Sequence, residues 1–172
     1  MELWDVYDAD RQKTGKTMVR GEAFEEGAYH IVIHVCIFGP DGRMLIQRRQ
    51  PFKEGWPDKW DVSVGGSAIA GETAGEAATR ELGEELGLRI DLSGARPHLT
   101  VNFPQGFDDY FLVEKDVELS ELKLQYEEVQ DAKWATKDEI LAMIADGTFI
   151  PFRTALIELL FDLCERMGAH TR

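Results

Sequence analysis

The chain has 172 residues, 44% of them hydrophobic, with 32 acidic against 19 basic side chains and a formal net charge of −13. That length supports one good core and argues against a second domain; the charge excludes broad binding to nucleic acid, which needs clustered Lys and Arg. Cys36 and Cys164 form no C-x-x-C pair and no disulfide framework, no apolar run approaches the roughly 18 residues that span a bilayer, and the first five residues lack the basic and apolar regions of a signal peptide, so a cytoplasmic protein without membrane contact is expected.

In chain order, Trp4-Asp5-Val6-Tyr7 alternates like a short strand, Asp8 to Lys16 is a polar turn, and Thr17 to Arg20 returns as its hairpin partner. Residues 1–28 therefore form an extension ahead of a core over 29–145. Tyr29 to Phe38 is rich in β-branched and aromatic residues, Gly39-Pro40-Asp41-Gly42 is a turn, and Arg43 to Arg49 is a second strand. Gln50 to Lys59 reads as loop, and Trp60 to Val64 as a strand running into Gly65-Gly66. A helix over Glu72 to Leu86 follows. His98 to Phe103 and Asp109 to Glu114 suggest a strand pair around Pro104-Gln105-Gly106, and Val129 to Trp134 a last strand. Lys137 to Ala145 reads as a helix, and Phe152 to Met167 as a longer one with Pro151 in its first turn. Helices interleaved with a mixed sheet predict a single α/β domain, a layered α/β/α sandwich. The hairpin or the C-terminal helix (151–168) could also serve a homodimer contact.

The most informative stretch is Gly66 to Leu88, GSAIAGETAGEAATRELGEELGL, with the spacing G-x5-E-x7-R-E-U-x-E-E-x-G-U, U being apolar. Agreement by chance at a given start is on the order of 10⁻⁸. On a helix, Glu81, Glu84 and Glu85 stand at i, i+3 and i+4 and project from one face. Three like charges there repel, and a hard divalent ion such as Mg²⁺ or Mn²⁺, which takes oxygen ligands, turns the repulsion into a coordination site. A merely solvated helix face is the bland reading, but it leaves Gly66, Gly71 and Gly87 unexplained, since glycines at fixed spacing signal backbone requirements.

This spacing is the Nudix box, and from Tyr29 to Ala145 the chain resembles the Nudix hydrolase superfamily. The resemblance implies a loop-helix-loop that binds divalent metal while water attacks the diphosphate linkage of a nucleoside diphosphate derivative. Carried over, it implies Glu81 and Glu85 as principal ligands, Glu84 as a further ligand or base, the Gly65 or Gly66 carbonyl completing the shell, and Arg80 pairing with Glu72 to support the carboxylates. A diphosphate repels hydroxide until cations neutralise its oxygens and activate water. Some members add a Glu outside the box, for which Glu128 is the first choice here and Glu127 the second. Upstream, Arg49 and Lys53 would meet phosphate oxygens; Arg48 points to the other face of its strand.

A narrower similarity, from Tyr29-His30-Ile31 through Arg49, Lys53, Trp60 and Glu128 to Trp134, is to isopentenyl-diphosphate isomerase, of the same fold. The isomerase uses a Cys where Gly65 stands and a metal-ligating His where Ser67 stands, and glycine cannot move a proton. Hydrolysis is therefore the expected activity, with isomerase-like chemistry or a non-catalytic nucleotide or pyrophosphate sensor as the alternatives. His30 and His34 share one side of a strand; His30 is a candidate substrate contact, set against the commoner outcome of a satisfied core or edge histidine. Phe52, Trp56, Phe103 and Phe107 are either ring-stacking groups or loop anchors.

Overall fold

Nearly every segment with strand-like alternation forms a strand in the computed structural model, which describes residues 2–170. β1 (Leu3–Tyr7) and β2 (Lys13–Val19) make an antiparallel hairpin. β3 (His30–Phe38), β4 (Met44–Arg49), β5 (Trp60–Asp61), β6 (Val64–Ser67), β7 (Leu99–Phe103), β8 (Gly106–Glu114) and β9 (Val129–Ala135) build a seven-stranded sheet. Its path is β5-β4-β3-β8-β7, with β6 also on β3 and β9 also on β4. β3 and β8 run parallel while their neighbours are antiparallel, so the sheet is mixed, as expected.

The period-2 pattern of β3 sorts the core. Ile31, Ile33, Val35 and Ile37 face α1 (Ala74–Leu86), packing with its Ala77, Ala78, Leu82 and Leu86. Cys36 and Phe38 face the other way, onto Ile140 of α2 (Lys137–Ala145) and Ile157 and Leu160 of α3 (Thr154–Glu165). Each fully buried aliphatic side chain contributes about 1.5–3 kcal/mol. Helices thus cover both faces of the sheet in an α/β/α arrangement.

Two helix starts differ from expectation. The box helix begins at Ala74, because the Thr73 hydroxyl accepts from the Glu76 N–H at 3.2 Å and the Glu76 carboxylate accepts from the Thr73 N–H at 2.8 Å, a reciprocal cap that leaves Glu72 in the preceding loop. It ends at Gly87, whose φ of +69° suits glycine. Pro151 lies outside α3. Trp60 donates to Thr148 O at 2.9 Å and Ile150 donates to Trp60 O at 2.8 Å, holding this stretch extended against β5, and a residue before proline favours that conformation.

β3 and β4 pair only at Ile37/Leu45 and Phe38/Met44. Beyond that β3 turns to β6 and β8, and β4 to β5 and β9. The buried Ser63 hydroxyl sits where they part, accepting from Ile37 N–H at 2.8 Å and donating to Leu45 O. A cleft opens beyond this divergence.

Candidate active site

The cleft measures about 370 Å³. Hollows of similar volume occur elsewhere, so its side chains, not its size, single it out. α1 supplies Glu81 and Glu85, β6 Gly65, Gly66 and Ser67, and β3 Val32 and His34. Arg49 enters from β4, Asp61 from β5, Lys53 and Trp56 from the loop between them, Asp108 from β8, and Glu128 from the turn before β9. Arg20, just after β2, and Ile150 and Phe152, ahead of α3, complete the rim.

Glu81 lies directly on the β6 backbone: a Cβ on Gly66 would fall 2.2 Å from its Oε1. Burial pushes the Glu81 carboxyl up to about 7, with Arg80 pulling it back. Arg80 donates to Glu81 Oε1 at 2.9 Å and spans both oxygens of Glu72, at 2.7 and 3.0 Å. The Arg80–Glu72 pair expected from the resemblance is therefore present in the structure. Glu85 is almost wholly buried and accepts from Gln47 Nε2 at 2.7 Å. Burial, then the neighbouring Glu81 charge, raises its pKa well above the carboxylate range. Across the cleft Lys53 is ion-paired with Glu128. Arg49 donates to Gly55 O at 3.0 Å and stands 3.7 Å from the buried Asp61. Arg48 instead pairs outside with Asp58 at 3.0 Å, as strand alternation required.

Two expectations need correction. Glu84 does not line the cleft: it is exposed and accepts from Arg80 at 2.9 Å, because the cleft takes only the i and i+4 positions of the helix face. His30 does not reach the cleft either. The N-terminal hairpin covers it, with Trp4 stacked on its ring at 4.4 Å and Phe24 and Phe103 alongside. His34, two pairs further along β3, takes the cleft position, with Nε2 3.3 Å from Asp108 Oδ1.

The buried His30 gives a pH test of the fold. Burial lowers its pKa from 6.5 to about 4. Between these values the unfolded chain binds a proton that the folded chain refuses, so stability is complete above pH 6.5 and falls as pH drops toward 4. Urea unfolding should show about 2 kcal/mol lost to this group between pH 7 and 5. His30→Phe should remove that share of the loss; an unchanged difference between the two pH values would contradict the placement.

A family model for the NUDIX domain matches residues 28–154. The chain belongs to the Nudix hydrolase family. An uncharacterized Nudix hydrolase of Listeria monocytogenes is 54% identical over 170 residues, 99% of each chain. An isopentenyl-diphosphate Delta-isomerase of Salmonella arizonae is 32% identical over 124 residues, 67% of this chain and 66% of that one. Among solved structures, a Deinococcus radiodurans protein superposes with a TM-score of 0.75 at 27% identity, covering 96% of this chain and 100% of that one. Among the described residues no helix is long and apolar enough to cross a membrane.

Nudix hydrolases generally use divalent metal ions such as Mg²⁺ or Mn²⁺, and the donor chemistry of the cleft fits such an ion. Glu81, Glu85 and Glu128 offer carboxylate oxygens, with the Gly65 and Gly66 backbone beside them, the ligand types hard cations take. Among the described residues no three acidic, His or Cys side chains already converge as a ligand group; Glu81, Glu85 and Glu128 are held by Arg80, Gln47 and Lys53. Sequence reasoning missed Gln47, Asp61, Asp108 and Arg20. Gln47 carried a signal, since it shares the strand face of Arg49; Arg20 and Asp108 reach the cleft through tertiary packing alone.

Proposed function

We propose that Glu81 and Glu85, with Glu128 and a β6 carbonyl of Gly65 or Gly66, bind Mg²⁺ or Mn²⁺, and that the protein hydrolyses the diphosphate linkage of a nucleoside diphosphate derivative or related small-molecule diphosphate. The observation that carries this reading is a buried carboxylate, Glu85, and a half-buried one, Glu81, one helical turn apart, lining one cleft with Arg49 and Lys53. A divalent cation bound there neutralises phosphate charge and lowers the pKa of attacking water.

The chain's own groups do the rest. Arg49 receives phosphate oxygens as a planar fork and Lys53 as a point charge. When Lys53 turns to the substrate, Glu128 loses its ion-pair partner and becomes free to join Glu81 and Glu85 at the cation. Arg80, held by Glu72, fixes the direction of Glu81. Trp56, about half exposed at the cleft wall with a φ of +51°, and Phe152 present ring faces to the organic half of the substrate. Phe103 packs on the buried His30, and Phe107 lies in the core, so neither has that role. A cytoplasmic enzyme acting on a small diphosphate, with neither nucleic acid nor membrane as partner, agrees with the net charge of −13.

In a panel of nucleoside di- and triphosphates, sugar nucleotides, prenyl diphosphates and thiamine diphosphate, at least one should be cut at its diphosphate linkage with Mg²⁺ or Mn²⁺, read as inorganic phosphate released directly or, where two monoesters form, after added phosphatase, and none with chelator present. Metal-independent release would overturn the reading. Interconversion of five-carbon diphosphate isomers without phosphate release would establish the isomerase alternative, and metal-dependent binding without product would establish a sensor.

A further inference from the structure

We infer that the N-terminal hairpin, which precedes the matched domain, is a positioning element of the box, with Asp5 and Lys13 as its positioning residues. The hairpin grips the loop ahead of α1 at consecutive residues. Ala70 N–H donates to Leu3 O at 2.7 Å, Gly71 N–H to the Asp5 carboxylate at 2.8 Å, and Lys13 Nζ to Glu72 O at 3.4 Å. Lys13 also pairs with Asp5 at 2.7 Å, so one ion pair holds the backbone on both sides of the Gly71–Glu72 peptide.

That peptide carries the side chain on which the cleft wall depends. Glu72 fixes Arg80 through two hydrogen bonds, and Arg80 reaches Glu81, which lies against Gly66. A shift of the loop passes through Glu72 and Arg80 to a carboxylate in the cleft. The hairpin itself is anchored elsewhere: Tyr7 and Tyr29 exchange backbone hydrogen bonds, and Arg11 binds the buried Asp109. Removing the Asp5 carboxylate therefore frees the loop without undocking the hairpin. The inference rests on the metal site proposed above.

The test compares Asp5→Ala, Asp5→Asn and Lys13→Met in the full chain, by calorimetric Mn²⁺ titration and by amide hydrogen exchange. In Asp5→Ala the Gly71 amide should exchange about tenfold faster, as for loss of one charge-assisted hydrogen bond, with β3 amides unchanged. Mn²⁺ should bind about tenfold more weakly, the scale of lost outer-shell support. Asp5→Asn, whose amide oxygen still accepts from Gly71, should recover most of the affinity; a purely structural contact would alter melting and leave Mn²⁺ affinity alone. Lys13→Met is the milder cut and should weaken Mn²⁺ in the same direction. Wild-type Mn²⁺ affinity in both Asp5→Ala and Lys13→Met, with faster exchange at Gly71, would overturn the inference alone. A wild-type chain that binds no Mn²⁺ would overturn the metal reading and this inference with it.

Discussion

Glu85→Gln is expected to lower Mg²⁺-dependent kcat/KM by about 10³-fold, since a catalytic cation contributes several kcal/mol and each 1.36 kcal/mol is a factor of ten. The substitution keeps the shape of the side chain and removes its charge. Gln47 Nε2, now 2.7 Å from Glu85 Oε2, can donate equally well to an amide oxygen. Burial already disfavours the Glu85 charge in the folded chain, so the fold should lose nothing and may be judged by thermal melting. Activity should therefore collapse without loss of stability. Activity within about threefold of wild type, well under one decade of rate, would show that Glu85 holds no catalytic ion.

Gly66→Ala should have the second largest effect, for a steric reason. Its Cβ would stand 2.2, 2.5 and 2.9 Å from Oε1, Cδ and Cγ of Glu81, nearer than real contacts allow. The obstructing atoms belong to a side chain and not to backbone, so the molecule can relieve the clash by swinging Glu81 off β6. The fold should lose no more than about 1–3 kcal/mol, the range for added core methyl groups. The displaced carboxylate should cost about 10²-fold in kcat/KM, roughly 2.7 kcal/mol of transition-state stabilisation. Melting and steady-state kinetics on the same preparation check this. Normal kinetics in a folded variant would mean that the position of Glu81 against Gly66 does not matter for turnover.

These two effects also show how far the residues alone led. Strand alternation selected Arg49 over Arg48, and the box spacing brought Glu81 and Glu85 to one wall, because both are local rules of a regular backbone. α2 spans Lys137–Ala145 as its sequence predicts, and the structure adds a second reciprocal cap at its start, between Thr136 and Glu139. Glu84 shows the limit of such rules. At 3.6 residues per turn, Glu85 lies about 40° from Glu81 around the helix and Glu84 about 60° to the other side. Only tertiary packing decides how wide a sector the cleft admits. His30 and His34 obey the same parity, and what separates them is a hairpin folded over one of them from the start of the chain. Asp108 and Arg20 were hidden for the same reason: each reaches the cleft through contacts distant in sequence.

The site is most directly tested by hydrolysis in ¹⁸O-water, followed by ³¹P NMR and mass spectrometry, on whichever diphosphate the wild-type chain turns over. With Mg²⁺ present, ¹⁸O should enter one phosphate product, showing that water cuts the diphosphate linkage, and incorporation should vanish with chelator and in Glu85→Gln. An isomerised substrate with its diphosphate intact, or an unlabelled inorganic pyrophosphate released with ¹⁸O in the organic alcohol, would contradict it.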